Sequence, residues 1–425
     1  MHPAVAQAIG LPEISEISRE CVDCHKKESV GLYQQWGSSK HYRGNVGCYE
    51  CHMADRTDAD AFLHYDRMIS VIVSPKDCAR CHSKEVEEFL GSHHSKAGRI
   101  LGSLDNVLAE VVEGNRGLKT DAFPNGVSSA AVSGCWQCHT RHEFSAAQAR
   151  HPNTCGKCHM GPDHPQKEIY EESKHGIAFF ANIDKMNLES NKWIVGEDYF
   201  SAPTCATCHM SETKNQRVTH DVGLRISWNN RPAVSIRPEV SDAKLGLPGQ
   251  DIGWETRRDN MKDVCLNCHN TQWVDNFYVQ YDGLVELYNE KYAKPGLALY
   301  ALAQPLLKPV KFSNKIDFTW FEIWHHEGRR ARHGASMMGP DYTHWHGTYE
   351  IAKHFYSEYL PQLEELVEDN LESEDAKRAA AAQALREKID AVLATDDHKW
   401  FIGGMDTGEA ARRAESADEF RKRYK

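Results

Sequence analysis

Seven boxes of the form Cys-x-x-Cys-His run through the chain, and each has the residues to hold one macrocycle. They are Cys21, Cys24 and His25; Cys48, Cys51 and His52; Cys78, Cys81 and His82; Cys135, Cys138 and His139; Cys155, Cys158 and His159; Cys205, Cys208 and His209; and Cys265, Cys268 and His269. They use all 14 cysteines. Histidine is 24 of 425 residues, so a histidine after every pair by chance has odds on the order of 10⁻⁹, and the pattern reads as covalent attachment of c-type haem. A disulfide scaffold would not demand the histidine. A Cys₄ zinc protein would leave one of the seven pairs unmatched, and a thioredoxin-type motif occurs once. The expectation is seven covalently attached haems c, with the histidine of each box as the first iron ligand.

What stands on the other face of each iron decides between electron transfer and catalysis, because a substrate needs an open iron. Candidates for the second ligand, in apolar or small-residue settings, are His41, His64, His93 or His94, His142, His164, His175, His220 and His333. His2 and His398 lie in terminal, polar contexts and read as ordinary residues.

The elements that position these groups follow from the spacing. The boxes are irregularly placed, so they are not a tandem repeat. The stretches between them are rich in Gly, Pro, Asn and Ser, which predicts short helices and loops around haems with little sheet. After His269 no cysteine remains and helical periodicity takes over. Phe277, Tyr281, Leu284, Val285 and Tyr288 mark one amphipathic helix over Asp275–Tyr292. Ile351, Phe355, Tyr359, Leu363, Leu366 and Val367 mark a second over Tyr349–Glu368, with Pro361 as a kink or break. Ala376–Ala394 is rich in strong helix formers, with Leu385, Ile389 and Val392 on one face. These stripes read as core or subunit-contact packing. The fold class expected is mainly α: a multihaem cytochrome c domain over 1–270 and a C-terminal helical domain over 271–425.

The formal charge of −11 disfavours a nucleic-acid partner. A mean hydropathy of −0.62 is lean for a chain of this length, and haem macrocycles would supply the missing apolar core. No run of 18 apolar residues exists, so no transmembrane span is expected. No signal peptide is visible, while c-type haems are attached outside the bacterial cytoplasm; the expectation is an exported, periplasmic protein in mature form.

Several runs resemble the octahaem hydroxylamine oxidoreductase family: Cys138-His-Thr-Arg-His-Glu-Phe-Ser-Ala-Ala147, Cys155 to His159 followed by Met-Gly-Pro-Asp-His164, Ser173-Lys-His-Gly176, Ala202-Pro-Thr-Cys-Ala-Thr-Cys-His-Met210 and Asp341-Tyr-Thr-His-Trp-His-Gly347. The resemblance spans about Glu20 to Glu368. It implies closely packed haems acting as an electron wire, long C-terminal helices that assemble a homotrimer, and one five-coordinate haem where small nitrogen compounds react. A cytochrome or a quinone-linked donor would be the redox partner. Carried over residue by residue, the distal ligands are His41, His64, His93 or His94, His142, His175, His220 and His333. Asp163 and His164 match the acid–histidine pair over the family's catalytic haem, where they would move protons.

The chain departs from the family in one respect: it has seven boxes where the family has eight. Ser133-Gly-Cys-Trp-Gln-Cys-His139 looks like the family's catalytic-haem box, yet Thr140-Arg-His-Glu-Phe144 looks like the run just after the family's next haem box. Either Cys135–His139 still holds an open haem beneath Asp163 and His164, or seven proximal histidines meet seven distal ones and the protein only carries electrons. A multihaem sulfite-type reductase is a weaker third reading, because no atypically spaced cysteine pair occurs. Oxidative family members cross-link a tyrosine to the catalytic haem. Tyr342 lies near that place and Tyr349 is a rival, but the run Asp341–Gly347 is closer to the uncross-linked, reductive members. His325, His326, His344 and His346 would line a proton route or be ordinary surface residues.

Overall fold

A computed structural model describes residues 13–96, 134–162, 164–226 and 252–423. The fold is mainly α, and the sheet among the described residues is one antiparallel hairpin, Ala61–His64 against Arg67–Ser70, in register Ala61 to Ser70 and His64 to Arg67. The described residues form two compact units. One takes those up to Met160, from Gln166 to Ile226 and from Ile252 to Phe277; the other takes those between Gly161 and Pro165 and from Tyr278 onward. The division falls inside the helix Thr271–Tyr288.

The first unit is made of short helices whose ends are tied down by small polar side chains. Ser15 caps Glu16–Glu28, Ser39 caps Lys40–Arg43, Ser145 caps Ala146–Arg150, Ser173 caps Lys174–Asn182 and Thr204 caps Cys205–Met210, each accepting a backbone N–H of the first turn. Gly47 stands where it does because Ser18 packs against it: a Cβ there would lie 2.4 Å from that of Ser18. Ile14, Val22 and Trp36 form an apolar cluster in this unit.

The second unit is a helical core. Thr271–Tyr288 runs on into a π-helical turn Asn289–Ala293, then Lys294–Ala303; Lys315–Phe321, Gly328–Ser336, Leu360–Leu371 and Ala376–Leu393 follow. The apolar stripes meet: Leu299, Ile323, Ile351, Phe355, Tyr359, Leu363, Val367, Leu385 and Ile389 are all essentially fully buried in one cluster. The expected interruption near Pro361 takes the form of a π-helical turn, Phe355–Tyr359, directly before it. Proline lacks the N–H that would bond the carbonyl four residues back, so the turn widens there without breaking the helix. Among the described residues no helix is long and apolar enough to cross a membrane.

Candidate haem-binding site

Each box is one helical turn. The backbone N–H of the histidine donates to the carbonyl of the first cysteine at 2.8 Å in Cys78–His82, 3.0 Å in Cys135–His139 and Cys155–His159, and 2.9 Å in Cys265–His269. Residues three and four apart share a face of such a turn, so both thiols and the imidazole point to one side. The run before a box has a structural role. In Ala-Pro-Thr-Cys-Ala-Thr-Cys-His, Thr204 accepts from the Thr207 N–H at 3.2 Å, and its own N–H donates to the Thr207 hydroxyl at 3.0 Å. At the third box the Ser74 N–H and hydroxyl both donate to Asp77 Oδ2, at 2.8 and 2.9 Å.

All 14 cysteines are free of disulfides. Burial pushes the thiols of Cys48, Cys51, Cys138 and Cys265 up to about 11, which suits carbon-bonded sulfur and not a reactive thiolate. Successive boxes lie side by side. The thiols of Cys78 and Cys135, and of Cys155 and Cys205, are within hydrogen-bonding reach. Cys21 with Cys48, Cys51 with Cys78, Cys138 with Cys155, and Cys208 with Cys265 are close enough to interact electrostatically. The seven boxes therefore form one string, in sequence order.

Histidines from distant parts of the unit face six of the seven box histidines. His25 faces His64 with ring centroids 6.3 Å apart, His52 faces His142 at 6.2 Å, and His82 faces His41 at 6.2 Å. His139 faces His220 at 6.4 Å, His159 faces His94 at 6.0 Å, and His269 faces His175 at 6.2 Å. Two imidazoles bound to opposite sides of one iron require this separation: a metal–nitrogen bond of about 2 Å plus roughly 1.1 Å from ring nitrogen to ring centre, doubled, is about 6 Å. The residues therefore fit haem c. The Nδ1 of His52 lies 2.7 Å from the Ser70 carbonyl, an outer-shell bond that leaves Nε2 for a metal. Aromatic rings brace others: Phe144 meets His41 edge-on at 4.8 Å, and Trp273 stacks on His269 at 4.1 Å.

The choice between His93 and His94, open in the sequence, falls to His94 as the ring opposite His159, with His93 beside it in the turn His93–Lys96. His139 faces His220, so the fourth box has an imidazole on its second side. His209 is buried, and its Nδ1 has no hydrogen-bond partner. Burial, then Arg225 and His94, push this ring down to about 4, so it is neutral. Arg225, 1% exposed, braces the box: Nη1 donates to the Cys208 carbonyl at 3.1 Å, Nη2 to the Ser211 carbonyl at 2.5 Å and Nε to Gln216 at 3.2 Å. Sequence reading passed over Arg225, and over Arg150, which donates to the Leu188 and Ser190 carbonyls at 2.7 Å and lies over the Trp193 ring. No local signal separates a buried arginine from a solvated one.

His164, half-buried, and His333, on Gly328–Ser336, belong to the second unit; Asp163 lies outside the described residues. Tyr342 is buried there, 4.9 Å from the His346 ring, while Tyr349 is exposed. His325 is buried against Phe321.

A family profile described as "Seven times multi-haem cytochrome CxxCH" matches residues 124–294, and one described as "Cytochrome c554 and c-prime" matches residues 77–151. A probable nitrite reductase–hydroxylamine oxidoreductase fusion protein of Kuenenia stuttgartiensis is 28% identical over 320 residues, 60% of this chain and 35% of that protein. The chain thus spans about a third of that relative's length. Two solved structures share the fold. One, described as a hypothetical multiheme protein, has a TM-score of 0.69 at 23% identity, covering 85% of this chain and 98% of its own. The other, the reducing hydroxylamine oxidoreductase-like complex of Kuenenia stuttgartiensis, has a TM-score of 0.63 at 19% identity, covering 89% and 87%.

Proposed function

We propose that the chain is a hydroxylamine oxidoreductase-like multihaem cytochrome c, that it carries seven covalent haems and that it relays electrons along their string, with six irons closed by two histidines each. A bound haem c supplies one-electron exchange at iron, and an iron with an open face can also take up a small substrate. The chain's own residues do the rest. His25 with His64, His52 with His142, His82 with His41, His139 with His220, His159 with His94 and His269 with His175 present imidazoles from both sides and exclude other ligands. The observation that carries this reading is the set of six ring pairs at 6.0–6.4 Å. The side-by-side boxes support an unbroken path between haems.

A second reading adds catalysis on a small nitrogen compound at one haem. It rests on the nitrite reductase–hydroxylamine oxidoreductase name of the Kuenenia relative. In that case the family resemblance makes Asp163 and His164 the proton donors and Tyr342 a tyrosine without a cross-link, and the direction is reductive, on nitrite or hydroxylamine. Export to the periplasm, a homotrimer and a cytochrome or quinone-linked donor complete this reading.

Electron paramagnetic resonance of the oxidised protein tests both. Six low-spin ferric haems with at most one high-spin haem is the expected spectrum, and high-spin signal from two or more haems would overturn the six pairs. A wholly low-spin spectrum would remove the nitrogen reading and leave the relay. If a high-spin haem is present, His164→Ala should lower nitrite or hydroxylamine turnover at least tenfold with haem content unchanged. Mass spectrometry of the intact chain counts the haems.

A further inference from the structure

The second unit gathers a set of acid and imidazole groups that the haem chemistry does not use. Glu322 and Glu327 lie five residues apart. In an α-helix of 3.6 residues per turn they would point about 140° apart. Here residues Glu322–Glu327 form a π-helical turn, whose i to i+5 repeat brings both carboxylates to one side. His354, at the end of Glu350–His354 and just before the π-helical turn Phe355–Tyr359, meets them from a neighbouring helix. One donor atom from each of Glu322, Glu327 and His354 lies within 4.8 Å of the others.

A second observation points to a ligand. The Glu327 side chain is 1% exposed, and while one oxygen takes a hydrogen bond from His354 Nδ1, Oε2 is buried with no partner. A buried carboxylate oxygen left unsatisfied costs free energy and calls for an ion or a water. The nearest cation does not fill the role. Arg330 Nη2 is 4.0 Å from Glu327, and its Nη1 is committed to Glu350 at 3.0 Å, which also meets His346 Nδ1 at 3.2 Å. A third carboxylate, Glu358, stands 3.6 Å from His354 Nε2. Glu322, Glu327, Glu350 and Glu358 thus outnumber Arg330.

We propose that Glu322, Glu327 and His354 bind one divalent cation of the zinc class. Two carboxylate oxygens and one imidazole nitrogen are the donor set of zinc and similar first-row ions, whereas calcium and magnesium take oxygen alone. The exposed Glu322 carboxylate leaves the site open on its solvent side, so water completes the coordination. The ion neutralises the buried Glu327 and ties the segment around residue 322 to the helix ending at His354.

The test uses the full haem-loaded chain, treated with chelator and titrated calorimetrically with zinc chloride, with iron and zinc counted by elemental analysis. One zinc per chain beyond the haem iron is expected. Glu322→Gln should weaken binding at least tenfold, and Glu327→Gln should abolish it; because Glu322 is exposed, its variant should keep the wild-type haem spectrum and helical circular dichroism. No saturable zinc, zinc binding unchanged in both variants, or calcium bound in preference to zinc would each overturn the proposal.

Discussion

The two units hold their rings in opposite ways. In the haem-binding unit six pairs of imidazoles face one another across 6.0–6.4 Å, a gap that leaves the pair out of contact. In the helical unit the aromatic rings pack against one another: Tyr292 meets Phe355 edge-on at 5.3 Å within an apolar cluster that includes residues from Tyr288 to Leu393, and the exposed Trp400 meets Tyr356 at 4.9 Å. One unit is laid out around something it must bind, and the other builds its core from its own side chains. Hydrophobic burial, at about 1.5–3 kcal/mol for each fully buried large apolar side chain, stabilises the second directly. The first has the caps, the Arg225 and Arg150 anchors and the six gaps between facing imidazoles.

Making the protein without haem attachment should break the comparison most sharply. Residues of the first unit should lose amide-exchange protection, while the helices from Leu360 to Leu393 keep theirs; equal protection in both would show that the haem unit folds unaided. Next in size, His220→Ala should convert one low-spin haem, that of Cys135–His139, to high spin with seven haems still attached. An unchanged spectrum would break the pairing read from the 6.4 Å separation. In the helical unit, Leu363→Ala at a fully buried position should cost about 3 kcal/mol, seen as an earlier helical unfolding transition with an unaltered haem spectrum.

The smallest effect concerns Asp263, which holds the segment after the sixth box to the helix Trp254–Cys265. Thr213 Oγ1 and Asn215 Nδ2 donate to it at 2.5 Å and Gln216 Nε2 at 2.7 Å. Burial alone would raise this carboxyl, but the donors from Thr213, Gln216 and Asn215 outweigh it and hold the group below its usual range. Its contribution is therefore present above the unfolded value of about 3.9 and lost as pH falls through the lower folded value. Asp263→Asn should cost about 1 kcal/mol near neutral pH and flatten the loss of stability on acidification, measured by denaturant unfolding at pH 7 and pH 3.

Much of the helical unit was legible in the chain because its code is local and periodic. The stripe Phe277 to Tyr288 lies on the helix Thr271–Tyr288, and Ala376–Ala394 is matched by Ala376–Leu393. The stripe residues Leu363, Val367, Leu385 and Ile389 all enter one core. The π-helical turns were not legible, since a five-residue repeat leaves no compositional mark, and so the meeting of Glu322, Glu327 and His354 was not either. In the haem unit the boxes stood out and the six opposing histidines were among the candidates, but which box each one serves was not legible. A histidine beside Ser, Lys or Gly has no local feature that says which box it crosses to, and Arg225 has none that says it is buried.

The sequence by itself determined where haem can attach, because attachment is the chemistry of five consecutive residues on one helical turn, and it determined the helix-rich class, because periodicity is local. Only the tertiary structure decided the pairing. The partners lie from 39 residues apart, as in His25 and His64, to 94, as in His175 and His269. Which rings oppose across one gap depends on how distant short helices are capped, turned and anchored.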